Sequence, residues 1–254
     1  MQVARFVHGG SPAYGIVDGE ELVVLRSDPL FDSYDTTGKR VPLADVRLLS
    51  PVIPRSKVVG IGRNYAAHVA EMGNELPAEP LVFLKPNTAV IGPDDPIVLP
   101  PWTTEVHHEA ELAVVISRMC KYVPAARAAD VVFGYTVAND VTARDRQRSD
   151  SQWTRAKGFD TSCPIGPWIE TDLDVRDLAV RAWVDGELRQ DGRTSELVHD
   201  VPALIEYVSG IFTLLPGDLI LTGTPAGVGE ILPGQRVEVE VEGIGRFGNP
   251  VVRR

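Results

Sequence analysis

Residues 236–242 read RVEVEVE, and this short stretch carries the clearest structural signal in the chain. Its three valines alternate with three glutamates, which is the period-two pattern of a β-strand with one buried face and one face in water. A strand of this kind needs partners on both edges and a hydrophobic layer beneath it. The sequence should therefore contain further strands that pair with it.

A β-hairpin is predicted upstream, in residues 179–192, which read AVRAWVDGELRQDG. Asp185-Gly186 separates two extended runs, and an Asp-Gly pair supplies the positive φ angles that a tight hairpin turn needs. The chain contains 20 prolines and 23 glycines, most of them between short apolar runs. This spacing favours strands and turns over long helices, so the predicted fold is mostly β with some α.

Helices are few in this sequence. The segment 201–212, VPALIEYVSGIF, has the spacing of a helix that covers a sheet with one apolar face. That face comprises Leu204, Tyr207, Val208 and Ile211. A shorter helix is predicted in residues 64–73 with Asn64 as its N-cap, and another from Thr142, whose spacing to Asp145 is that of a capping box.

Length and composition exclude several classes of protein. A chain of 254 residues with 44% hydrophobic and 24% charged residues is not disordered, collagenous or a coiled coil. Its net charge of −10 argues against nucleic acid and anionic membranes as partners. Two cysteines outside any CxxC pattern, with no signal peptide or apolar span, predict a cytoplasmic protein.

The chain is predicted to contain two domains. The runs VARFV, YGIVDG and ELVVLR in the first 50 residues have strand character, and prolines follow them in SPVIPRSK. We place a small β-rich domain at residues 1–53 and the main domain at residues 54–254.

Three carboxylates form the first candidate site. Glu109 and Glu111 lie two apart in HHEAELAVVIS, so both point to one face of the apolar strand that follows. Asp140 ends a second strand-like run, FGYTVAND. Such a set suits Mg²⁺, Mn²⁺ or Ca²⁺ rather than Zn²⁺. The alternative is that both glutamates lie on a solvated strand face.

The second candidate is a His–Glu pair. His68 and Glu71 are one helical turn apart, so the carboxylate can orient the imidazole as a general base, although such a pair is commonly a surface contact. GIGRNY lacks the third glycine of a dinucleotide fingerprint, and TGTPAGVG lacks the lysine of a P-loop. Four basic residues near these motifs are either anion contacts or solvated surface charges: Arg63, Lys85, Arg146 and Lys157.

Taken together, six motifs in order resemble the fumarylacetoacetate hydrolase family over about residues 57–252. They are GIGRNYAAHVAEMG, FLKP, HHEAELAVVI, GYTVANDVTARDRQ, QWTRAKGFDTSCPIGPW and LILTGTPAGVG. The first 50 or so residues resemble the small domain that precedes this module in many bacterial members. Members with these motifs include C–C bond hydrolases, acylpyruvases, oxaloacetate decarboxylases and isomerases of hydroxylated dienoic diacids.

The resemblance implies a mixed β-sandwich roll and a homodimer. It implies an Mg²⁺ or Mn²⁺ site, with Ca²⁺ as a further possibility, and a His–Glu catalytic dyad with an active-site lysine. The matching metal ligands are Glu109, Glu111 and Asp140, and the matching catalytic residues are His68, Glu71 and Lys157. The matching substrate contacts are Tyr65, Arg146, Gln147 and Thr224, to which we add Arg63 and Lys85.

These residues lead us to expect a metal-dependent enzyme acting on a small 2-oxo or 2,4-dioxo acid, with C–C bond hydrolysis as the first candidate reaction. Oxaloacetate decarboxylation and isomerisation of 2-hydroxyhepta-2,4-diene-1,7-dioate are the alternatives, because all three reactions can pass through an enolate. A different class of protein, a non-catalytic β-rich protein that holds a structural Ca²⁺, is the remaining alternative.

Overall fold

The structure is a computed structural model that describes residues 1–73 and 75–253. Strands dominate it, as predicted. The strands are β1 (Gln2–His8), β2 (Ser11–Asp18), β3 (Glu21–Leu25), β4 (Thr36–Pro42), β5 (Arg47–Leu49), β6 (Val58–Gly62), β7 (Leu81–Lys85), β8 (Val90–Ile91), β9 (Ile97–Leu99), β10 (Val106–His108), β11 (Ala110–Ile116), β12 (Val132–Asn139), β13 (Thr142–Ala143), β14 (Cys163–Glu170), β15 (Ala179–Val184), β16 (Glu187–Arg193), β17 (Leu219–Leu221), β18 (Gly229–Glu230), β19 (Arg236–Val241) and β20 (Gly245–Arg253). The α-helices are α1 (Ala66–Glu71), α2 (Arg144–Ser149), α3 (Thr154–Lys157) and α4 (Val201–Ile211). Short 3₁₀ turns lie at Leu43–Asp45, Asn87–Ala89, Ala125–Val131 and Thr194–Glu196.

Three sheets organise these strands. The largest has the order β4-β3-β2-β1-β14-β12-β11-β17-β6-β7, with β5 paired to β1 and β8 to β14. A second sheet has the order β16-β15-β19-β20-β9, and a third, small one the order β13-β10-β18. The fold is therefore mostly β with several sheets, as the sequence predicted.

The alternating segment that begins at Arg236 is strand β19, and its prediction is confirmed. The three valines are buried, whereas Glu238 and Glu240 are partly exposed. The preceding hairpin is also confirmed, because β15 pairs antiparallel with β16 around Asp185 and Gly186. Both turn residues have positive φ angles, 51° and 81°, as a tight hairpin turn requires.

The main hydrophobic core lies between the two larger sheets. Strand β11 is buried on both faces: Leu112 and Val114 pack in the cluster that contains the valines of β15 and β19, whereas Ala113 and Val115 pack in a second cluster. A strand that is covered on both sides reads as a continuous apolar run, which is what AELAVVI shows. The residues at the start of β11 are therefore fixed by packing on every side.

The first 50 residues contribute strands β1 to β5, and the three strand predictions there are confirmed. Ala4, Phe6 and Leu22 form a small core of their own. The same strands also extend the largest sheet, because β1 pairs with β14. The division at residues 53 and 54 stays a prediction.

The helix predictions are confirmed in part. Helix α4 forms where predicted, with Asp200 as its N-cap, but Ile211 is 46% exposed and does not belong to the buried face. Helix α1 also forms, yet Asn64 is not its cap, because the Asn64 Oδ1 that would accept from the first turn accepts instead from the His199 N–H at 2.8 Å. Thr142 and Asp145 do not form the predicted capping box. Helix α2 begins at Arg144 without a side-chain cap.

Each described helix is too short or too polar to cross a membrane.

Helix α4 allows a direct test of the core. Leu204 is fully buried on this helix, so we expect Leu204→Ala to lower the free energy of unfolding by about 2–5 kcal/mol. Ile211→Ala, on the same helix but half exposed, should change it by about 0.5 kcal/mol or less. Urea unfolding followed by circular dichroism measures both values. Equal losses in the two variants would contradict this packing of α4.

Candidate metal centre and active site

Three carboxylates converge where β11 and β12 lie side by side. Glu109 immediately precedes β11, Glu111 lies within it, and Asp140 immediately follows β12. The antiparallel ladder brings the first and last of these together, since the Asp140 N–H donates to the Glu109 carbonyl oxygen at 2.8 Å. One oxygen from each side chain lies within 4.8 Å of the others. All three are at most 4% exposed, so a solvated strand face is excluded.

Two of these carboxylates have cationic partners. Lys157 Nζ lies 2.7 Å from Glu109 Oε2 and also contacts Asp140, and Lys85 Nζ lies 2.5 Å from Asp140 Oδ1. The Arg144 guanidinium donates to the other oxygen of Glu109. Burial opposes ionisation of Glu109, but the charges of Lys157 and Arg144 outweigh it and hold its pKa well below the usual range.

Glu111 is the exception. Its Oε2 accepts one hydrogen bond, from the Gly223 N–H at 2.6 Å, and no Lys or Arg in residues 1–73 and 75–253 lies within ion-pair distance of it. Burial raises the pKa of Glu111 well above its usual range, and the negative charges of Asp140 and Glu109 raise it further. A divalent cation among the three oxygens would relieve this repulsion. The all-carboxylate donor set therefore fits Mg²⁺, Mn²⁺ or Ca²⁺.

The His–Glu pair lies on helix α1. His68 Nδ1 is 3.3 Å from Glu71 Oε2, and His68 is 8% exposed. Glu71 also accepts from the backbone N–H of Gly227, at 3.1 and 3.2 Å from its two oxygens. The histidine is therefore buried, and its partner is anchored to a second part of the chain.

A cavity of about 340 Å³ opens between α1 and the carboxylates. It brings together seven of the predicted site residues: Arg63, His68, Glu109, Glu111, Gln147, Lys157 and Thr224. The remaining walls include Ile61, Gly62, Val69, Met72, Arg144, Arg148 and Trp153. The lining therefore combines carboxylates, cations and a few apolar side chains, which suits a small, charged ligand.

Three predicted substrate contacts lie outside this lining. Tyr65 immediately precedes α1 and is 1% exposed, and burial together with the charge of Glu111 raises its pKa. Lys85 is committed to Asp140. Arg146 points away, with its Nε donating to the Trp102 carbonyl oxygen at 2.9 Å.

Arg144 is the residue that the sequence analysis missed. It is 1% exposed, lines the cavity and donates to both Glu109 and Gln147. Residues 144, 147 and 148 share one face of α2 because they are three and four apart, whereas residue 146 lies on another face. Helical periodicity within GYTVANDVTARDRQ was the signal that could have selected Arg144 in place of Arg146.

Comparison with known proteins agrees with this architecture. Residues 57–252 match the model of the fumarylacetoacetate (FAA) hydrolase C-terminal family, and residues 1–51 match the Rv2993c-like N-terminal family. Protein Rv2993c of Mycobacterium tuberculosis (strain ATCC 25618 / H37Rv) is 54% identical over 263 residues, covering 100% of this chain and 99% of the relative.

Two solved structures have the same fold. One is 5-carboxymethyl-2-hydroxymuconate delta-isomerase from Mycobacterium smegmatis, with a TM-score of 0.92, 53% identity and full coverage of both chains. The other is maleylpyruvate hydrolase from Sphingobium sp. SYK-6 in complex with manganese(II) and pyruvate, with a TM-score of 0.82 and 35% identity, covering 100% of this chain and 99% of that one. The chain belongs to the fumarylacetoacetate hydrolase family of metal-dependent enzymes.

Proposed function

We propose that this protein hydrolyses a C–C bond of a small 2-oxo or 2,4-dioxo acid, of the acylpyruvate type, with the help of a divalent cation. One observation carries the proposal: His68, whose Nδ1 faces Glu71, lines the same cavity as Glu109 and Glu111 of the buried three-carboxylate cluster. A related hydrolase that binds manganese and pyruvate supports the choice of substrate class.

In this proposal Glu109, Glu111 and Asp140 hold Mg²⁺ or Mn²⁺. When bound there, the cation would supply Lewis-acid stabilisation of the negative charge that develops on the substrate oxo oxygen. The oxygen of Glu111 that does not accept from Gly223 is the one available for this role. Glu109 and Asp140 keep their contacts to Lys157, which stays protonated because Asp140 and Glu109 raise its pKa against the effect of burial.

The cavity wall binds the substrate as an anion. Arg144 is buried and held by Glu109 and Gln147, so its guanidinium has little rotational freedom left to lose when a carboxylate binds. Arg63 lines the same cavity and is available to a second carboxylate, whereas Arg148 is paired with Glu105. A diacid can therefore meet positive charge from two segments of the chain, at Arg144 and at Arg63.

His68 is the proposed general base. With a proton on Nδ1 directed at Glu71, its Nε2 is free to take a proton from a water molecule that attacks the carbonyl carbon. Glu71 positions the ring, and the Gly227 N–H positions Glu71. This pair supplies the water activation that hydrolysis requires and decarboxylation does not.

Isomerisation of a hydroxylated dienoic diacid is the second candidate reaction. The observation that favours it is the 53% identity, over the whole chain, to a structure described as a 5-carboxymethyl-2-hydroxymuconate delta-isomerase. His68 would then remove a proton from one carbon and return it to another. The same cavity residues would bind the two carboxylates.

The metal assignment is tested with Glu111→Gln. We expect this variant to lose Mn²⁺ binding and turnover but to keep its fold, because removing one of three repelling carboxylates relieves repulsion. Calorimetric titration with Mn²⁺ measures the affinity. Glu170→Gln is the matched control, since Glu170 is also buried but pairs with the amino terminus, so its Mn²⁺ affinity should not change. Unchanged affinity in Glu111→Gln would remove the metal assignment.

The role of His68 is tested by comparing two reactions. We expect His68→Ala to reduce acylpyruvate hydrolysis by about 10²–10⁴-fold while Mn²⁺ affinity is retained, as for loss of a general base. Oxaloacetate decarboxylation, which needs no attack by water, should fall much less. His8→Ala, at an exposed histidine far from the cavity, is the control and should leave both rates unchanged. Equal losses in both reactions would show that His68 does not activate water.

We also propose a homodimer, as the family resemblance implies. Large exposed apolar side chains such as Met119 and Tyr122, which are 71% and 74% exposed, are available for a subunit interface. Light scattering at micromolar concentration should therefore give about twice the chain mass of 27.6 kDa. A mass equal to that of one chain would contradict the dimer.

A further inference from the structure

Gln190 is a buried polar residue to which the proposed mechanism gives no role. It lies on β16, in the five-stranded sheet, and is completely buried. Its side chain crosses from that sheet to the start of β11, where the candidate metal ligands lie. A buried amide in this position needs hydrogen-bond partners, and their identity indicates what it does.

The Gln190 amide makes four hydrogen bonds. Its Nε2 donates to Thr224 Oγ1 at 2.7 Å and to the Pro225 carbonyl oxygen at 2.8 Å. Its Oε1 accepts from the Ala110 N–H at 2.9 Å. A carbonyl can only accept and a peptide N–H can only donate, so the orientation of the amide is fixed. The His108 Nδ1, at 3.0 Å from the same Oε1, must therefore carry a proton and donate as well.

These hydrogen bonds take the place of strand pairing at the start of β11. Strand β17 pairs with β11 only along Ala113–Val115, so the backbone of Ala110 lies beyond the last residue of that ladder. Gln190 takes the Ala110 N–H, and the Thr224 hydroxyl donates to the Ala110 carbonyl oxygen at 2.8 Å. Both backbone polar groups of Ala110, the residue between Glu109 and Glu111, are thus satisfied by side chains.

The same bonds hold the loop that follows β17. At one end of this loop the Gly223 N–H donates to Glu111, and at the other the Gly227 N–H donates to Glu71. Gly227 has a φ of 96°, and a Cβ there would lie 2.0 Å from the Arg189 carbonyl oxygen, so the loop lies directly against β16. Between these two contacts, Gln190 holds the loop through its hydrogen bonds to Thr224 and Pro225.

We propose that Gln190 is a positioning residue that fixes residues 222–227 and, through them, the carboxylates of Glu111 and Glu71. One amide then couples the metal ligand that has no cationic partner to the carboxylate that orients His68. The effect on metal affinity rests on the proposed function. The effect on the loop does not.

The test uses Gln190→Met, which keeps the volume and removes all four hydrogen bonds. We expect Mn²⁺ affinity to fall by about 10–100-fold, the usual effect of losing a residue that orients a metal ligand. Hydrogen exchange of residues 222–229 should become faster, whereas that of helix α4 should stay as in the parent protein. The exchange measurement needs neither metal nor substrate.

Asn249→Leu is the matched control. Asn249 is equally buried, and its amide also donates to two backbone carbonyls, those of Gly92 and Asp95, but away from the cavity. It should lower thermal stability to a similar degree and leave Mn²⁺ affinity and the exchange of residues 222–229 unchanged. A general loss of stability would affect both variants alike.

The outcomes separate the two proposals. Parent-like Mn²⁺ affinity and parent-like loop exchange in Gln190→Met would overturn the positioning role. If Gln190→Met does not fold, Thr224→Val removes the hydroxyl that joins Gln190 to the Ala110 carbonyl, and the same two measurements decide. If the parent protein itself binds no Mn²⁺, the proposed function fails, and loop exchange alone then decides the role of Gln190.

Discussion

The structure depends on burying three carboxylates at the junction of β11 and β12. Moving an ionised carboxylate out of water costs several kcal/mol, so such a cluster survives only with charge compensation and a rigid frame. Lys85, Lys157 and Arg144 balance the charge of the three carboxylates, but none of them forms an ion pair with Glu111. A divalent cation would add two positive charges, and a dianionic substrate or enolate would then restore neutrality. The cluster therefore favours the same anionic species that the proposed reaction forms.

The frame for this cluster comes from strand packing. Strand β11 is covered on both faces, so its backbone cannot shift to separate Glu109 from Glu111. Asp140 is held by the same ladder, one residue beyond the end of β12. Helix α1, in contrast, is six residues long and contributes few buried side chains. The candidate metal ligands thus lie in the tightly packed part of the molecule, whereas the proposed base lies on a short helix with few buried side chains.

Local signals predicted most of the fold because they depend on neighbouring residues only. The valine alternation of β19 and the Asp-Gly turn are of this kind, and both are confirmed. Asn64 shows where such reasoning fails: it has the chemistry of a cap, but its Oδ1 accepts from the distant His199 N–H instead of from the first turn of α1. Three-dimensional partners of this sort have no signature in a single sequence.

Comparison of two relatives bears on which part of the cavity determines the reaction. A chain described as an isomerase and one described as a hydrolase both superpose on this protein over its full length, with TM-scores of 0.92 and 0.82. A fold shared this closely does not by itself select between hydrolysis and isomerisation, and all of these reactions need stabilisation of an enolate. They differ in what happens to one proton and one water molecule. His68 and Glu71, the groups that we propose handle this proton and this water, lie on α1. We therefore infer that residues 63–72, rather than the carboxylate cluster, determine the type of reaction.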